Sequence, residues 1–250
     1  MGFPRPVIPG TKLLAHQPSF IANNMKQSWL LLLCSYFVVA QCVPGSLVIN
    51  VHYPEHKLPK SAFLALRGDN LGLSWDSGVR LNRSATNLWT LSIPFECSSV
   101  GTRVNVKVLV NDKGWQIGAN ERFDLPSKSA SVDLYPFFYT TEGQYSVIPD
   151  KFYSSQLNNS RQIVVYTPPS YYENTLKHVP LLIMHDGQNL FNDSTAAFGV
   201  AWNCQDTINA QVVQAEMQEV LIAGVYNTPQ RLNEYTYSYD SSVPGGGMQL

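Results

Sequence analysis

The feature that most constrains this chain is a change in hydrophobic grammar near residue 160. Up to about Phe138 the apolar residues alternate with polar ones. Leu47, Ile49, Val51 and Tyr53 share one side of "LVINVHY", Trp89, Leu91, Ile93 and Phe95 one side of "LWTLSIPFE", and Val104, Val106, Val108 and Val110 one side of "RVNVKVLV". A period of two is the signature of a half-buried strand. Turn-forming stretches ("RGDNLG", "NDKG", "DLPSKS") separate the runs, so residues 46–138 predict a β-sandwich built of short strands. From Gln162 the runs lose their alternation. "IVVYTPP" stops at Pro168 and Pro169, while "VPLLIM" and "EVLIAGVY" are continuous, as parallel strands covered on both faces require. Between these two, Cys204, Ile208 and Val212 recur at helical spacing, with Asn203 or Asp206 available as the N-cap. Strand, helix and parallel strand open an α/β domain over residues 161–250. Residues 139–160, "YTTEGQYSVIPDKFYSSQLNNS", read as the link between the two segments.

Composition narrows the setting. With 250 residues, 44% hydrophobic and 12% aromatic, the chain has enough apolar material for one or two ordinary cores. Its net charge is -1, and its 17 Lys and Arg residues form no basic run, so nucleic acid is not an expected partner. Residues 1–40 differ from the rest: the first acidic residue is Glu55, and Lys26 precedes an apolar stretch from Trp29 to Ala40. This is the pattern of a signal peptide cut after Ala40. As a helix the stretch would reach only about 18 Å, against roughly 30 Å of bilayer hydrocarbon. The expectation is therefore a secreted, extracellular protein, not held in a membrane after cleavage. The signal begins at Met25 behind a Pro-containing leader, so either an upstream Met has been taken as the start or the n-region is long.

Three Asn-x-Ser tripeptides, at Asn82, Asn158 and Asn192, are candidate glycosylation sites. Cleavage would leave Cys42, Cys97 and Cys204, an odd number that implies a free thiol, an intermolecular bond or a partner outside the sequence. No CxxC or Cys/His spacing suggests a metal, and no cofactor is expected.

Two groups of residues suggest chemistry. In the first segment "LALRGDNLGLSWDSGVRL" is followed by "NLWTLSIPF" and "NDKGWQIGANERF". Leu71, Gly72 and Trp75, then Trp89, then Trp115, Gly118, Asn120 and Arg122 give this stretch an order that resembles starch-binding carbohydrate-binding modules of the glucoamylase type. The resemblance implies a polysaccharide or other glycan as partner, with Trp115, Asn120 and Trp75 as contacts. Indole suits that role because a sugar ring offers an apolar C–H face to stack on it. Trp89 lies on the apolar side of its strand and is expected in the core; for Trp75 and Trp115 core and ligand roles both stay open. Arg67, Gly68 and Asp69 spell an adhesion-type tripeptide inside a turn the module pattern already explains.

In the second segment "LLIMHDGQNLF", "AFGVAWNCQDTIN", "VLIAGVYNTPQRLNEYTYSYD" and "PGGG" occur in that order. Together they resemble the first half of the α/β-hydrolase esterase family that includes feruloyl, acetyl-xylan and siderophore esterases, a three-layer α/β/α fold. The resemblance implies an oxyanion-hole amide at Gly187 or Gln188, with Asn227, Arg231, Glu234 and Tyr235 on the substrate side. A solvated Arg231–Glu234 loop pair is the competing reading.

Such an esterase needs a Ser on a G-x-S-x-G elbow, an acid and a His. The chain has no G-x-S-x-G, and its last histidine is His185. His185 and Asp186 are neighbours whose side chains leave a strand on opposite faces, so they do not make an oriented pair. The catalytic positions are thus expected beyond Leu250, with "LLIM" left as an open edge and Cys204 without a partner. The expectation is a shortened product of an esterase gene, either a fragmentary gene model or an alternative transcript. Its full form would be a secreted carboxylic-ester hydrolase with a glycan-binding module, inactive without Ser, Asp and His. The alternatives are a non-catalytic glycan-binding protein, or a chain too short to close its second core.

Overall fold

The computed structural model describes residues 43–236, all within one compact unit, Gln41–Leu250. The signal-like stretch, Cys42 and the closing glycines lie outside the described residues. The described chain is mostly β-sheet with few helices. No helix among the described residues is long and apolar enough to cross a membrane.

Nine strands precede residue 139: β1 (Gly45–His52), β2 (Leu64–Gly68), β3 (Val79–Arg80), β4 (Asn82–Ala85), β5 (Leu88–Phe95), β6 (Arg103–Val110), β7 (Gly114–Trp115), β8 (Glu121–Asp124) and β9 (Ala130–Leu134). They form two sheets. One has the order β4-β5-β1-β9, with β1 antiparallel to β5 and parallel to β9. The other runs β3-β2-β6-β7, with β8 also on β6. The alternating residues do what their period predicts. Leu47, Ile49 and Val51 from one sheet, and Val104, Val106 and Val108 from the other, are at most 1% exposed and meet in a single cluster that includes Trp89. Trp89 is therefore core. β2 and β6 are buried on their outer face as well, at Ala65 and Leu109. The loop after β2 is drawn over that face: a Cβ at Gly78 would come within 3.0 Å of the Ala65 side chain.

A second sheet system follows. It comprises β10 (Gln144–Val147), the hairpin β11 (Phe152–Ser154) and β12 (Asn159–Arg161), then β13 (Ile163–Thr167), β14 (Leu181–His185) and β15 (Leu221–Val225). The main sheet has the order β10-β13-β15-β14, with β14 and β15 parallel. Helix α1 (Cys204–Val213) connects that parallel pair, and α2 (Arg231–Tyr235) follows β15. Asn203 holds the N-cap position of α1, although its side chain makes no cap bond. Ile208 and Val212 of α1 are buried against Val164, Tyr166 and Ile222 of the sheet.

Two expectations change here. Residues 139–160 are more than a link, because β10 pairs with β13 and so belongs to the second sheet. And "LLIM" is not covered on both faces: Leu181, Leu182 and Ile183 are 59%, 46% and 64% exposed. Within the described residues β14 pairs only with β15, so it forms the sheet edge, in line with the open-edge reading of "LLIM" and against the doubly covered strand that its continuous run suggests.

The two sheet systems are locked together by the turn after β13. Glu173 and Asn174 are 6% and 1% exposed. The Glu173 carboxylate accepts the Tyr53 hydroxyl at 3.0 Å and the Phe138 and Tyr139 backbone N–H groups at 2.6 and 3.0 Å. The Asn174 side-chain amide donates to the carbonyls of His52 and Pro136. Phe137 and Ile117 then pack into the second core. Removing a buried acceptor strands its donors, which costs about 1–3 kcal/mol for each unsatisfied group. Glu173→Ala is thus expected to lower unfolding free energy by about 3 kcal/mol or more in urea titration, and Tyr53→Phe by about 1 kcal/mol. Equal, near-zero changes in both variants would show that this contact does not hold the halves together.

Candidate functional site

The parallel pair β14 and β15 ends at a cluster of polar side chains. Open α/β sheets place their ligand sites at the carboxyl ends of strands. Here the chain leaves β14 through Asp186, which adopts a left-handed conformation (φ 55°), and enters a short 3-10 turn, Gly187–Asn189. The hydrogen bonds of this turn begin at the Asn189 N–H, which donates to Asp186 O. The amides of Gly187 and Gln188 precede it and so have no partner inside the turn.

What holds this turn is a clamp from the chain beyond β15. Arg231 donates Nε to Asp186 Oδ1 at 2.9 Å and Nη2 to Oδ2 at 2.8 Å, and Asn227 Nδ2 donates to Oδ1 at 2.7 Å. Asn227 N–H donates to the Gln188 side-chain oxygen at 3.2 Å. Tyr235 meets His185 edge-on, its hydroxyl 3.2 Å from His185 Nδ1. The hydrogen bond from Arg231 outweighs burial and holds the Asp186 carboxyl below its ordinary value. Burial raises the Tyr235 hydroxyl.

Of the four residues assigned to the substrate side, three converge on the turn: Asn227, Arg231 and Tyr235. Glu234 does not. It accepts Arg161 Nη2 at 2.5 Å and the Thr228 hydroxyl at 3.0 Å, so it braces the loop against β12, and no Arg231–Glu234 pair forms. Gly187 has a reason of its own. A Cβ there would sit 2.6 Å from the Gly224 backbone of β15, so glycine is required for the turn to lie against that strand. Gly187 is buried and Gln188 half-buried. Asp186, to which the sequence reading gives no role at the site, is the residue the cluster is built around: "NTPQRL" supplies one amide and one guanidinium to the carboxylate of "HDG".

A second cluster lies on the first segment. Trp75 and Trp115 stack with ring centroids 6.3 Å apart and planes at 29°; Trp115 is 42% exposed. The guanidinium of Arg67 lies 5.3 Å from the Trp115 ring centroid and is paired with Asp112. Asn120 is exposed, in the excursion between Trp115, which pairs with Leu109 of β6, and Glu121, which pairs with Val106. The tripeptide Arg67-Gly68-Asp69 is spent on the fold. Asp69 accepts the Asn105 backbone and side-chain amides, both at 2.8 Å, and Gly68 is buried in β2. Asn82, Asn158 and Asn192 are all exposed. Cys97 is disulfide-bonded, whereas Cys204 is a free, half-buried thiol that burial raises above its ordinary value.

Two cavities are lined by neither the Asp186 clamp nor the two indoles, although the second borders the 116–121 excursion that carries Asn120. One, of about 560 Å³, is bordered by Glu55, Phe63, Arg80 and Arg83 with Trp89 behind. The other, of about 410 Å³, sits between the sheet systems, bordered by Ile117, Tyr135, Phe137, Lys177 and Met217.

No protein-family model and no curated protein matches this chain. Among solved structures, a ferulic acid esterase is similar over 44% of this chain, at 22% identity and a TM-score of 0.29. The match spans 38% of that protein's length.

The clamp predicts a pH dependence. Because the folded-state pKa of Asp186 is depressed, the contact stabilises the fold fully above the ordinary carboxylate value of about 3.9. The contribution is lost as pH falls through the depressed value. Asp186→Asn is expected to be less stable than wild type at pH 7 and to lose less on acidification below about pH 4. Urea unfolding across a pH series reads both effects; an unchanged acid slope in the variant would show that Asp186 is not clamped in solution.

Proposed function

We propose that this chain belongs to a secreted carboxylic-ester hydrolase that acts on carbohydrate-linked esters. Residues 161–250 would supply the oxyanion side of an α/β-hydrolase acyl-transfer site, and residues 46–138 would form a β-sandwich module that holds the glycan. One observation carries the reading: the Asp186–Asn189 turn, fixed at the carboxyl end of β14 by Arg231, Asn227 and the close approach of Gly187 to Gly224. In acyl transfer, negative charge develops on the carbonyl oxygen, and a preorganised amide aimed at it lowers the barrier by several kcal/mol, about 3 for a single donor. Gly187 and Gln188 would supply those amides. Tyr235, held by His185, and Arg231 would border the ester. The Ser nucleophile and its His are not assigned to any residue of this sequence.

Exposed sequons and a disulfide at Cys97 support secretion, since disulfides persist in oxidising compartments. The native gene product is expected to hydrolyse methyl ferulate or p-nitrophenyl acetate. Its Arg231→Ala variant, which frees the turn, is expected to lose on the order of 10²-fold in kcat with a smaller change in KM. Absence of hydrolysis of any acetyl or feruloyl ester by the native product would end this reading.

A second reading is favoured by the Trp75–Trp115 pair: a glycan-binding protein without catalysis, acting through residues 46–138. Two near-parallel indoles, one well exposed, offer the apolar surface on which sugar rings stack. Affinity electrophoresis in soluble starch is expected to retard the chain, and Trp115→Ala to weaken binding by about tenfold or more, which is about 1.4 kcal/mol. Identical mobility with and without starch and other glucans would reject it.

A further inference from the structure

The aromatic pair rests on a single side chain. Arg67 directs Nε to Asp112 Oδ1 at 2.7 Å, Nη2 to Asp112 Oδ2 at 3.0 Å and to the Asp112 carbonyl at 3.1 Å, and Nη1 to the Trp75 carbonyl at 2.9 Å. The same guanidinium lies against the Trp115 ring. One planar cation therefore touches the backbone of one indole residue and the ring of the other. Asp112 is held in turn. It sits in a turn with Asn111, both at φ 54°, and its carboxylate also accepts the Gly78 N–H at 3.2 Å, three residues beyond Trp75. A Cβ at Gly78 would come within 2.3 Å of the Asp112 carboxylate, so the loop that carries Trp75 is drawn tightly onto this ion pair.

These contacts divide the labour. The hydrogen-bonding edges of Arg67 are turned to protein acceptors and its side chain is only 16% exposed, so it is not placed to take a ligand hydroxyl itself. Trp115 is the exposed member. We infer that Arg67 is the positioning residue of the Trp75–Trp115 pair, fixing both indoles so that the sugar-stacking surface exists before a ligand arrives. This deepens the glycan-binding reading and rests on it. A preformed surface matters because ordering two large side chains on binding would subtract from affinity. Lysine cannot replace the arginine: a point charge has no fork to bridge a carboxylate and a carbonyl, and no plane to lie on indole.

The test separates the positioning role from the glycan reading. Closely stacked indoles give an exciton couplet in the far-ultraviolet circular dichroism spectrum, which reports their mutual geometry without any ligand. The full chain is expected to show it, and Trp75→Phe or Trp115→Phe to abolish it. Arg67→Lys is expected to lose most of the couplet and to bind soluble starch on the order of tenfold more weakly, while keeping a cooperative thermal transition. If Arg67→Lys does not fold, Asp112→Asn decides, since it leaves the guanidinium in place and weakens only its hold; the same two losses are expected. Full couplet and unchanged starch affinity in the folded variant would overturn the inference, as would a lost couplet with unchanged affinity. If the wild-type chain binds no glucan, the glycan reading fails, and the couplet alone still decides whether Arg67 sets the pair.

Discussion

The rest of the structure depends on a buried carboxylate. Glu173 lies in a turn that reads as polar, "SYYENTLKH", yet it is 6% exposed and accepts three hydrogen bonds, from Tyr53, Phe138 and Tyr139. A carboxylate is costly to remove from water and is tolerated only when its lone pairs are met by well-placed donors. Two of the donors here are backbone amides of Phe138 and Tyr139, at the point where the chain leaves the first sheets. The carboxylate thus dictates the direction in which the chain enters the second sheet. Asn174 repeats the device with opposite polarity, donating to the carbonyls of His52 and Pro136. The first pair of sheets, joined in this way, is not on a flexible tether. The effective concentration that a linker would set gives way to a fixed geometry between the indole pair and the tip of β14.

A second constraint acts at that tip. Left-handed backbone is disfavoured for a residue with a Cβ, by roughly 1–2 kcal/mol, and Asp is among the residues that tolerate it best. Asp186 takes this conformation while its carboxylate is gripped by Arg231 and Asn227. The left-handed Asp186, the close approach of Gly187 to Gly224 and the two-residue clamp act on the same turn, and the clamp offsets the backbone cost of the first. Sites built in this way are held in place by the surrounding structure, and that is what an electrostatic catalyst needs from its backbone amides.

The sequence carried the parts of this architecture that burial imposes locally. A period of two located the inward faces of β1, β5 and β6, because each of those strands has one face on a core. The spacing of Cys204, Ile208 and Val212 located the inner stripe of α1. The order of "HDG" and "NTPQRLNEY" brought Asn227, Arg231 and Tyr235 to one place, with Glu234 the exception. What periodicity does not encode is which sheet a strand joins. β10 is short and exposed, with no inward face to announce it, and its register with β13 is a long-range fact. Glu173, Asn174 and the Arg67–Asp112 pair escaped for the same reason. A buried polar residue looks like a loop residue until its partners are known, and those partners lie 45 residues away for Arg67 and as many as 120 for Glu173. Leu181 to Ile183 show the opposite case: their continuous apolar run suggests cover on both faces, yet they are exposed on the edge strand that the missing neighbour of "LLIM" leads one to expect.

That last disagreement bears on the candidate site. The strand that delivers the Asp186 turn is itself poorly covered by the described residues, with three successive apolar side chains in solvent. Unpaired apolar edges of this kind attract other strands, and packing around β14 does little to fix its carboxyl end. The position of Gly187 and Gln188 must then come from the far side: from β15, which contacts Gly187 through Gly224, and from Arg231 and Asn227 beyond it. Leu190, fully buried directly after the turn, anchors it from below. The local stability of the turn is therefore tied to the loop that follows β15 more closely than to β14 itself. Any ligand that engages Arg231 or Asn227 would reach the amides through the same carboxylate.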